Sequence, residues 1–335
     1  MMPGTRHGRA RPTLMIILAA LLGAAVLAAC DHDPPQTQPS PSPSPTTSPS
    51  PDPSPSPSPT PDPEPGGDPN DPAQLAEFII VCPKSHTAAM DPIVFPGQTG
   101  RSHSHDFFGN QASGDAHLYS ELTGAETTCE RITGDTASYW TPQVFLDGQP
   151  VEVDHAQFYY KNDFRGSHTQ TRAFPEDLRM IAGDMSRGPG SSGSLAYNWG
   201  CLHQNTVSNM DFPDCPNGSD LILFLSFPQC WNGIDLDTAD HKSHMAYMAG
   251  SPFTCPTSHP LQLPSLQFRI IYDTNGATGN RLSIASGSDT NAGTTGTGWT
   301  AHGDFVNSWD QSELERLVDH CLKQWRMCAL EPPTP

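Results

Sequence analysis

The chain has 335 residues, of which 36 are acidic and 17 are lysine or arginine, so its formal net charge is −19 at pH 7. A surface this acidic argues against nucleic acids and anionic lipid surfaces as partners, because both are bound through basic patches. The charge balance favours cations or neutral polymers instead.

The N-terminus has the pattern of an export signal. Arg6, Arg9 and Arg11 precede an apolar run over residues 14–27, which at about 14 residues is shorter than the ~20 that span a bilayer. The run ends in Leu27-Ala28-Ala29-Cys30, which resembles the lipobox of bacterial lipoproteins. We therefore predict a cleaved lipoprotein signal over residues 1–29 and a lipid on Cys30. An ordinary secretory signal and an uncleaved anchor are the alternatives.

The number of cysteines supports this prediction. The chain has nine cysteines, and an odd number is awkward in an oxidising compartment. Assigning Cys30 to the lipid leaves eight, enough for four disulfides whose connectivity the sequence does not give. These eight are Cys82, Cys129, Cys201, Cys215, Cys230, Cys255, Cys321 and Cys328.

Residues 30–72 carry the predicted lipidated cysteine and a tether. From Pro34 to Pro72 the chain is almost entirely Pro, Ser, Thr and Asp, so it has no apolar side chains that could form a core. Alternating prolines favour an extended polyproline II spacer. We predict a disordered stalk here, followed by a globular domain over residues 73–335.

The domain is predicted to be mainly β. Short apolar or alternating segments are separated by turns rich in Gly, Pro, Asn and Ser, as in an antiparallel β-sandwich or jelly roll with long disulfide-stapled loops. The predicted strands lie at residues 77–82, 139–153 (a hairpin around Asp147-Gly148), 157–161, 220–227, 266–272 and 281–284.

A C-terminal α-helix is predicted from the helical spacing of Leu314, Leu317, Val318, Cys321, Leu322 and Trp325, with Ser308 as its N-cap. A weaker helix is predicted near residues 175–180.

Fourteen histidines are an unusual number for this length, and several stand beside carboxylates or amides. The first such segment runs from Asp91 through His103, His105 and Asn110. On an extended strand His103 and His105 point to the same side, which is a common half-site for zinc, copper or iron.

Two further segments repeat this composition. Residues 230–247 contain Trp231, Asp240, His241, His244 and Tyr247. His241 and His244 share a face if this segment is helical and diverge if it is extended. The third segment is His302-Gly303-Asp304-Phe305, just before the predicted helix.

The histidine segments belong to a longer series of blocks along the domain. These blocks are Met90-Asp91-Pro92-Ile93-Val94, Pro96-Gly97, His103-Ser104-His105, Tyr139-Trp140-Thr141-Pro142, Cys215-Pro216-Asn217-Gly218, Phe227-Pro228-Gln229-Cys230-Trp231-Asn232-Gly233, Asp240-His241-Lys242-Ser243-His244-Met245-Ala246-Tyr247, His259-Pro260 and His302-Gly303-Asp304-Phe305. Together they resemble DUF1996, a family of secreted fungal and actinobacterial proteins without an established activity. The resemblance covers about residues 78–328 and implies a secreted, cell-surface or wall-associated setting. One departure is Ser308, where the pattern has Gly.

We expect the histidine segments to converge on one site, either a divalent-metal site or a metal-free acid–base site. The candidate catalytic residues are His103, His105, His241, His244, His302 and Asp304, and the candidate metal ligands are His103, His105 and His241. The candidate ligand-binding residues are Asp91, Asn110, Trp140, Trp231, Asp240 and Tyr247.

The sequence leaves three functions open. The first is an enzyme, a hydrolase or lyase acting on extracellular polysaccharide, lipid-anchored at the outer face of the cell membrane. The second is a non-catalytic module of the cell envelope that binds glycan or metal. The third is a structural envelope protein whose histidines are satisfied in loops.

Overall fold

The computed structural model describes residues 66–130, 132, 134–189, 191, 196–204, 207–250, 254–286 and 296–328, which belong to the unit Asp62–Pro335. The predicted signal peptide, Cys30 and the tether up to residue 65 lie outside the described residues. The strands are β1 (Glu77–Val81), β2 (Lys84–Ala88), β3 (His105–Gly109), β4 (Ser138–Pro142), β5 (Val144–Leu146), β6 (Gln149–Pro150), β7 (Val153–Lys161), β8 (Arg179–Gly183), β9 (Tyr197–Cys201), β10 (Val207–Asn209), β11 (Leu221–Ser226), β12 (Cys230–Trp231), β13 (Met245–Ala246), β14 (Leu261–Gln262), β15 (Ser265–Tyr272), β16 (Leu282–Ile284) and β17 (His302–Val306).

Helices are short. The α-helices are α1 (Tyr119–Leu122) and α2 (Gln311–Leu317), and a π-helical turn over Val318–Leu322 continues α2. Three 3₁₀ turns lie at His168–Gln170, Gly279–Arg281 and Gly298–Thr300.

The strands form two main antiparallel sheets. Sheet A has six strands in the order β1-β7-β15-β11-β9-β10, and sheet B has five in the order β2-β3-β4-β17-β8. Two further sheets have three strands each, in the orders β13-β12-β14 and β16-β5-β6. The predicted fold class, mainly β and antiparallel in a sandwich-like arrangement with a C-terminal helix, is confirmed.

The inner faces of sheets A and B share one aromatic core. Because side chains alternate along a strand, each strand sends every second residue inward. Tyr139 of sheet B stacks on Phe158 of sheet A with ring centroids 4.0 Å apart, and Phe158 meets Phe268 edge-on at 4.8 Å. Aromatic pairs in these geometries add to the stability that burial alone provides.

Most strand predictions are confirmed. The segments at 77–82, 157–161, 220–227, 266–272 and 281–284 form β1, the end of β7, β11, β15 and β16. Asp147 and Gly148 join β5 to β6 with φ values of 49° and 75°, as expected for a two-residue hairpin turn that needs left-handed backbone at both positions.

The weaker helix predicted near residues 175–180 is wrong, and so is the N-cap predicted for the C-terminal helix. Residues 179–183 form β8, because Met180 and Ala182 alternate into the core while the backbone pairs with β17. The N-cap of α2 is Asp310, whose carboxylate accepts from two backbone N–H groups, while the Ser308 hydroxyl donates to the carbonyl of Thr136. Trp325 lies beyond the helical segment.

The eight remaining cysteines form four disulfides, as predicted. The pairs are Cys82–Cys129, Cys201–Cys215, Cys230–Cys255 and Cys321–Cys328. Disulfides persist in oxidising compartments, so they indicate an extracellular or secreted protein.

None of the helices within the described part of the chain has the length and apolarity to cross a bilayer.

A buried polar network fixes the start of β4 to the segment before α2. Tyr139 donates to Asp135 Oδ2 at 2.8 Å, the hydroxyls of Tyr139 and Tyr160 are 2.6 Å apart, and Trp309 Nε1 donates to Tyr160 at 2.9 Å. Asp135 is fully buried, and this burial raises the pKa of its carboxyl from 3.8 to about 7.

This raised pKa makes folding stability depend on pH. Between about pH 4 and 7 the folded chain keeps the Asp135 proton while the unfolded chain releases it. The free energy of unfolding therefore falls as pH rises through this window, by up to ~1.4 kcal/mol per pH unit from this group. We expect Asp135→Asn to remove that contribution. The slopes of urea-unfolding free energy against pH, with disulfides intact, should differ between wild type and variant. Asp319→Asn, at an exposed carboxylate, should leave the slope unchanged, and equal slopes for all three proteins would refute the prediction.

Candidate metal centre

Strand β17 places His302 and Asp304 on the outer face of sheet B, which faces away from sheet A. Phe305 and Gly303 face sheet A, and a Cβ at Gly303 would lie 2.3 Å from the Leu225 side chain. A side chain at this position would displace the Leu225 side chain, so the two sheets approach closely at this point. Strand alternation then places His302 and Asp304 on the opposite face of β17.

The strand register brings distant histidines together. β4 lies between β3 and β17, and His105 of β3 stands opposite Pro142 while Asp304 stands opposite Trp140. His105 and His302 thus meet across β4, with their Nε2 atoms 3.4 Å apart.

His103, just before β3, completes a cluster of three imidazoles. Its ring centroid lies 4.3 Å from that of His105 and 5.1 Å from that of His302. One ring nitrogen from each residue lies within 4.8 Å of the others, and all three residues are buried. We call these three residues the histidine cluster.

Backbone carbonyls set the tautomers of two cluster members. His105 Nδ1 lies 2.8 Å from the Met90 carbonyl oxygen, and His302 Nδ1 lies 3.0 Å from that of Thr300. A carbonyl only accepts, so each Nδ1 carries the hydrogen and each neutral ring has a lone pair on Nε2.

Two lone pairs 3.4 Å apart repel unless a cation or a proton lies between them. A proton is disfavoured here, because burial, together with the neighbouring imidazoles, lowers the pKa of His105 well below its usual range and that of His302 to about 3. The geometry therefore suits a shared metal cation.

Asp304 lies next to the cluster and is also buried. Among the described residues neither carboxylate oxygen has a hydrogen-bond partner. Burial raises the pKa of Asp304, the charge of Asp91 raises it further, and Lys242 acts in the opposite direction. Burying a carboxyl group without a partner lowers the stability of the folded chain. The presence of the buried Asp304 beside three imidazoles therefore points to a ligand or cation at this place.

A cleft of about 300 Å³ opens beside the cluster. His302 and Asp304 form part of its wall, and residues from all three histidine segments line it. The lining residues are Asp91, Val94, Ile181, Gly183, Asp184, Met185, Ser186, Asp240, His241, Lys242, His302 and Asp304.

Four of the predicted residues line this cleft without joining the cluster: Asp304, described above, and His241, Asp91 and Asp240. His241 Nδ1 donates to Asp237 Oδ2 at 2.9 Å. His241 was predicted as the third metal ligand, but the third imidazole of the cluster belongs to His302. Asp91 accepts from the N–H groups of residues 93 and 94. Asp240 accepts from the N–H groups of residues 242 and 243 and two hydroxyls, which lower its pKa.

Two other predicted polar residues have local structural partners. The buried His244 uses both ring nitrogens, Nδ1 toward Thr238 Oγ1 at 3.1 Å and Nε2 toward the Arg179 carbonyl at 2.6 Å. Asn110 donates to the carbonyl oxygens of Leu122 and Thr136. Neither is part of the histidine cluster.

The predicted aromatic residues are dispersed. Trp140 is fully buried against Phe107, so its ring packs within the protein. Trp231 donates its indole N–H to the carbonyl of Asp235. Tyr247 lines a separate cleft beside sheet A.

Sequence reasoning missed several contributors to the site. The cleft wall formed by Gly183, Asp184 and Met185 has no histidine or aromatic signal. The carbonyls of Met90 and Thr300 act through the backbone, which no side-chain pattern reveals. Asp237 lies in the segment of residues 230–247, but the sequence does not show that its carboxylate orients the His241 ring.

One family model matches the chain. This family is described as a domain of unknown function, DUF1996, and the match spans residues 91–309, which include the whole histidine cluster. The match covers more than half of the chain, and the chain therefore belongs to this family. No curated protein and no solved structure matches the chain.

Proposed function

We propose that this exported DUF1996 protein holds a divalent transition-metal ion on His103, His105 and His302 and uses it to cleave extracellular polysaccharide. The observation that carries the proposal is the approach of the His105 and His302 Nε2 atoms to 3.4 Å. Two nitrogens bound to one tetrahedral zinc ion at ~2.0–2.1 Å are separated by ~3.3 Å, which agrees with this spacing.

The surroundings of the cluster also favour a divalent ion. The Nδ1 atoms of His105 and His302 each hydrogen-bond to a backbone carbonyl oxygen. Metal-binding histidines ordinarily make such a bond with the ring nitrogen that does not bind the metal, and it holds the ring in its orientation. Burial raises the pKa of Asp304, and a divalent cation beside it would stabilise the ionised carboxylate. Imidazole nitrogen suits zinc, copper or iron.

The chain's own polar groups supply proton transfer and positioning beside the ion. A bound ion would polarise a substrate oxygen or activate water. His241 lines the same cleft, and its ring is oriented by Asp237, which is the arrangement of an acid–base histidine with a carboxylate partner. Lys242 donates to the Gly183 carbonyl at 2.8 Å and places a positive charge at the rim.

A non-catalytic metal-binding module of the cell envelope is the second candidate. Its support is the burial of the cluster, in which His103, His105 and His302 expose only 2%, 0% and 3% of their surface. An ion held this far inside would be shielded from a large polymer unless the polymer reaches it through the cleft.

The proposed setting is the outer face of the cell membrane, with a lipid on Cys30. The sequence around Cys30 and the pairing of all eight other cysteines support this proposal.

Metal content tests the cluster. Untagged wild-type protein equilibrated with zinc and then desalted should contain about one zinc ion per chain by elemental mass spectrometry. His105→Ala and His302→Ala should each lose most of it, because each removes a ligand. His320→Ala, at an exposed histidine outside the cluster, should retain it. Equal zinc content in all four proteins, or none in wild type, contradicts the proposal.

Cleavage is tested on the zinc-loaded protein. Incubation with cell-wall and plant polysaccharides should produce new reducing ends or unsaturated products. His302→Ala should lose both zinc and activity, whereas His241→Ala should keep its zinc and lose activity about 100-fold, the contribution of an acid–base group. Full zinc binding without product from any polymer would favour the non-catalytic module.

Phase partition tests the anchor. Full-length protein made in a bacterium that processes lipoproteins should enter the detergent-rich phase, and Cys30→Ser should move it to the aqueous phase, because the acyl chains provide the membrane affinity. Ser54→Ala, in the tether, is the control and should partition as wild type. If Cys30→Ser partitions into the detergent-rich phase as wild type does, the prediction of a lipid on Cys30 is wrong.

A further inference from the structure

The outer face of sheet A presents polar and aromatic side chains on adjacent strands. Phe158 and Tyr160 of β7 point into the core, so Gln157, Tyr159 and Lys161 face outward. On β15, Gln267 stands opposite Tyr159 and Arg269 stands opposite Gln157. All of these outward residues are partly exposed.

Hydrogen bonds connect these side chains into one surface. Gln157 Oε1 accepts from the Tyr159 hydroxyl at 3.0 Å and from Arg269 Nη1 at 2.7 Å. Lys161 Nζ donates to Gln267 Oε1 at 2.7 Å and lies 5.1 Å from the centre of the Tyr159 ring. The two cations are therefore held in defined positions on the face.

The charge of this face is unusual for the chain. In the whole chain acidic residues outnumber lysine and arginine by 36 to 17. On this face, however, the side chains that accept hydrogen bonds from Lys161 and Arg269 are neutral amides. Within the described residues neither cation forms an ion pair with a carboxylate. Two carboxylates lie near Lys161: Glu77 stands opposite it on β1, and Asp163 lines a cleft together with it. Both cations thus keep donors for an external anion.

An apolar ring lies beside the cations. Phe224 of β11 stands opposite Arg269 in the register and is partly exposed on the same face. A flat aromatic ring next to fixed amide and cationic donors suits a sugar, which presents C–H groups on one face and hydroxyl groups at its edges.

The face ends in a cleft of about 230 Å³. Lys161 and Gln267 line it together with Asp163, Ser226, Ser265 and Tyr247. This volume is below the ~300–1,000 Å³ typical of pockets for drug-sized ligands. It suits one sugar residue, with the rest of a chain lying along the open sheet.

We propose that the outer face of sheet A binds an anionic polysaccharide of the uronic-acid type, with Lys161 and Arg269 contacting its carboxylates, Gln157 and Gln267 its hydroxyls, and Phe224 a sugar ring. This surface lies on the opposite sheet from the histidine cluster. It is a binding site separate from the proposed metal centre and does not rest on it.

Native electrophoresis in gels containing polygalacturonate tests the proposal on the full chain. Wild type should be retarded, and Lys161→Gln, Arg269→Gln and Phe224→Ala should each weaken binding by about fivefold. Arg281→Gln is the matched control, because Arg281 is an exposed cation paired with Asp147 outside this face. It should bind as wild type, and thermal melting should show that every variant is folded.

Three results would overturn the proposal. The first is no retardation by polygalacturonate. The second is equal retardation by a neutral glucan or by polyglycerol phosphate, which lack the carboxylate or the sugar ring respectively. The third is a wild-type chain that dimerises through this face, shown by light scattering and abolished by Phe224→Ala. Retardation should persist with a chelator and in His302→Ala, which distinguishes this surface from the metal centre.

Discussion

The antiparallel register of sheet B is the constraint on which the rest of the account depends. His105 and His302 are 197 residues apart in the chain, and they meet because β3 and β17 both pair with β4. Period-two alternation then sends one set of side chains into the aromatic core and the other toward the histidine cluster. A register shift of one residue would exchange the two sets, so core packing and the site are specified together.

The site concentrates polar groups that the described residues do not compensate. Neutral Nε2 atoms face each other, and within the described part of the chain no group donates a hydrogen bond to the buried Asp304 beside them. Such burial lowers stability, which the sandwich core and the four disulfides offset elsewhere. Groups that destabilise the folded chain in this way are expected where a cation or ligand binds. This is why we assign a function to the cluster and none to His244, whose ring nitrogens have protein partners.

The sequence predicted the fold class and most strands because alternation and turn signals are local. It predicted a helix at residues 175–180 wrongly, since residues 176–177 form a turn with Asp177 at a φ of 60° and pairing with β17 begins at Arg179. For the site, His103 and His105 could be grouped because they are two residues apart. The choice of His302 over His241 depends on which strand flanks β4, and spacing along the chain contains no information about that.

The most direct test is an X-ray structure of the zinc-soaked protein with anomalous diffraction at the zinc edge. We expect one strong peak among His103, His105 and His302, within ~2.0–2.1 Å of the Nε2 atoms of His105 and His302. If no peak lies there while the zinc binds elsewhere, or if the three rings point away from one another, the metal-centre interpretation is wrong.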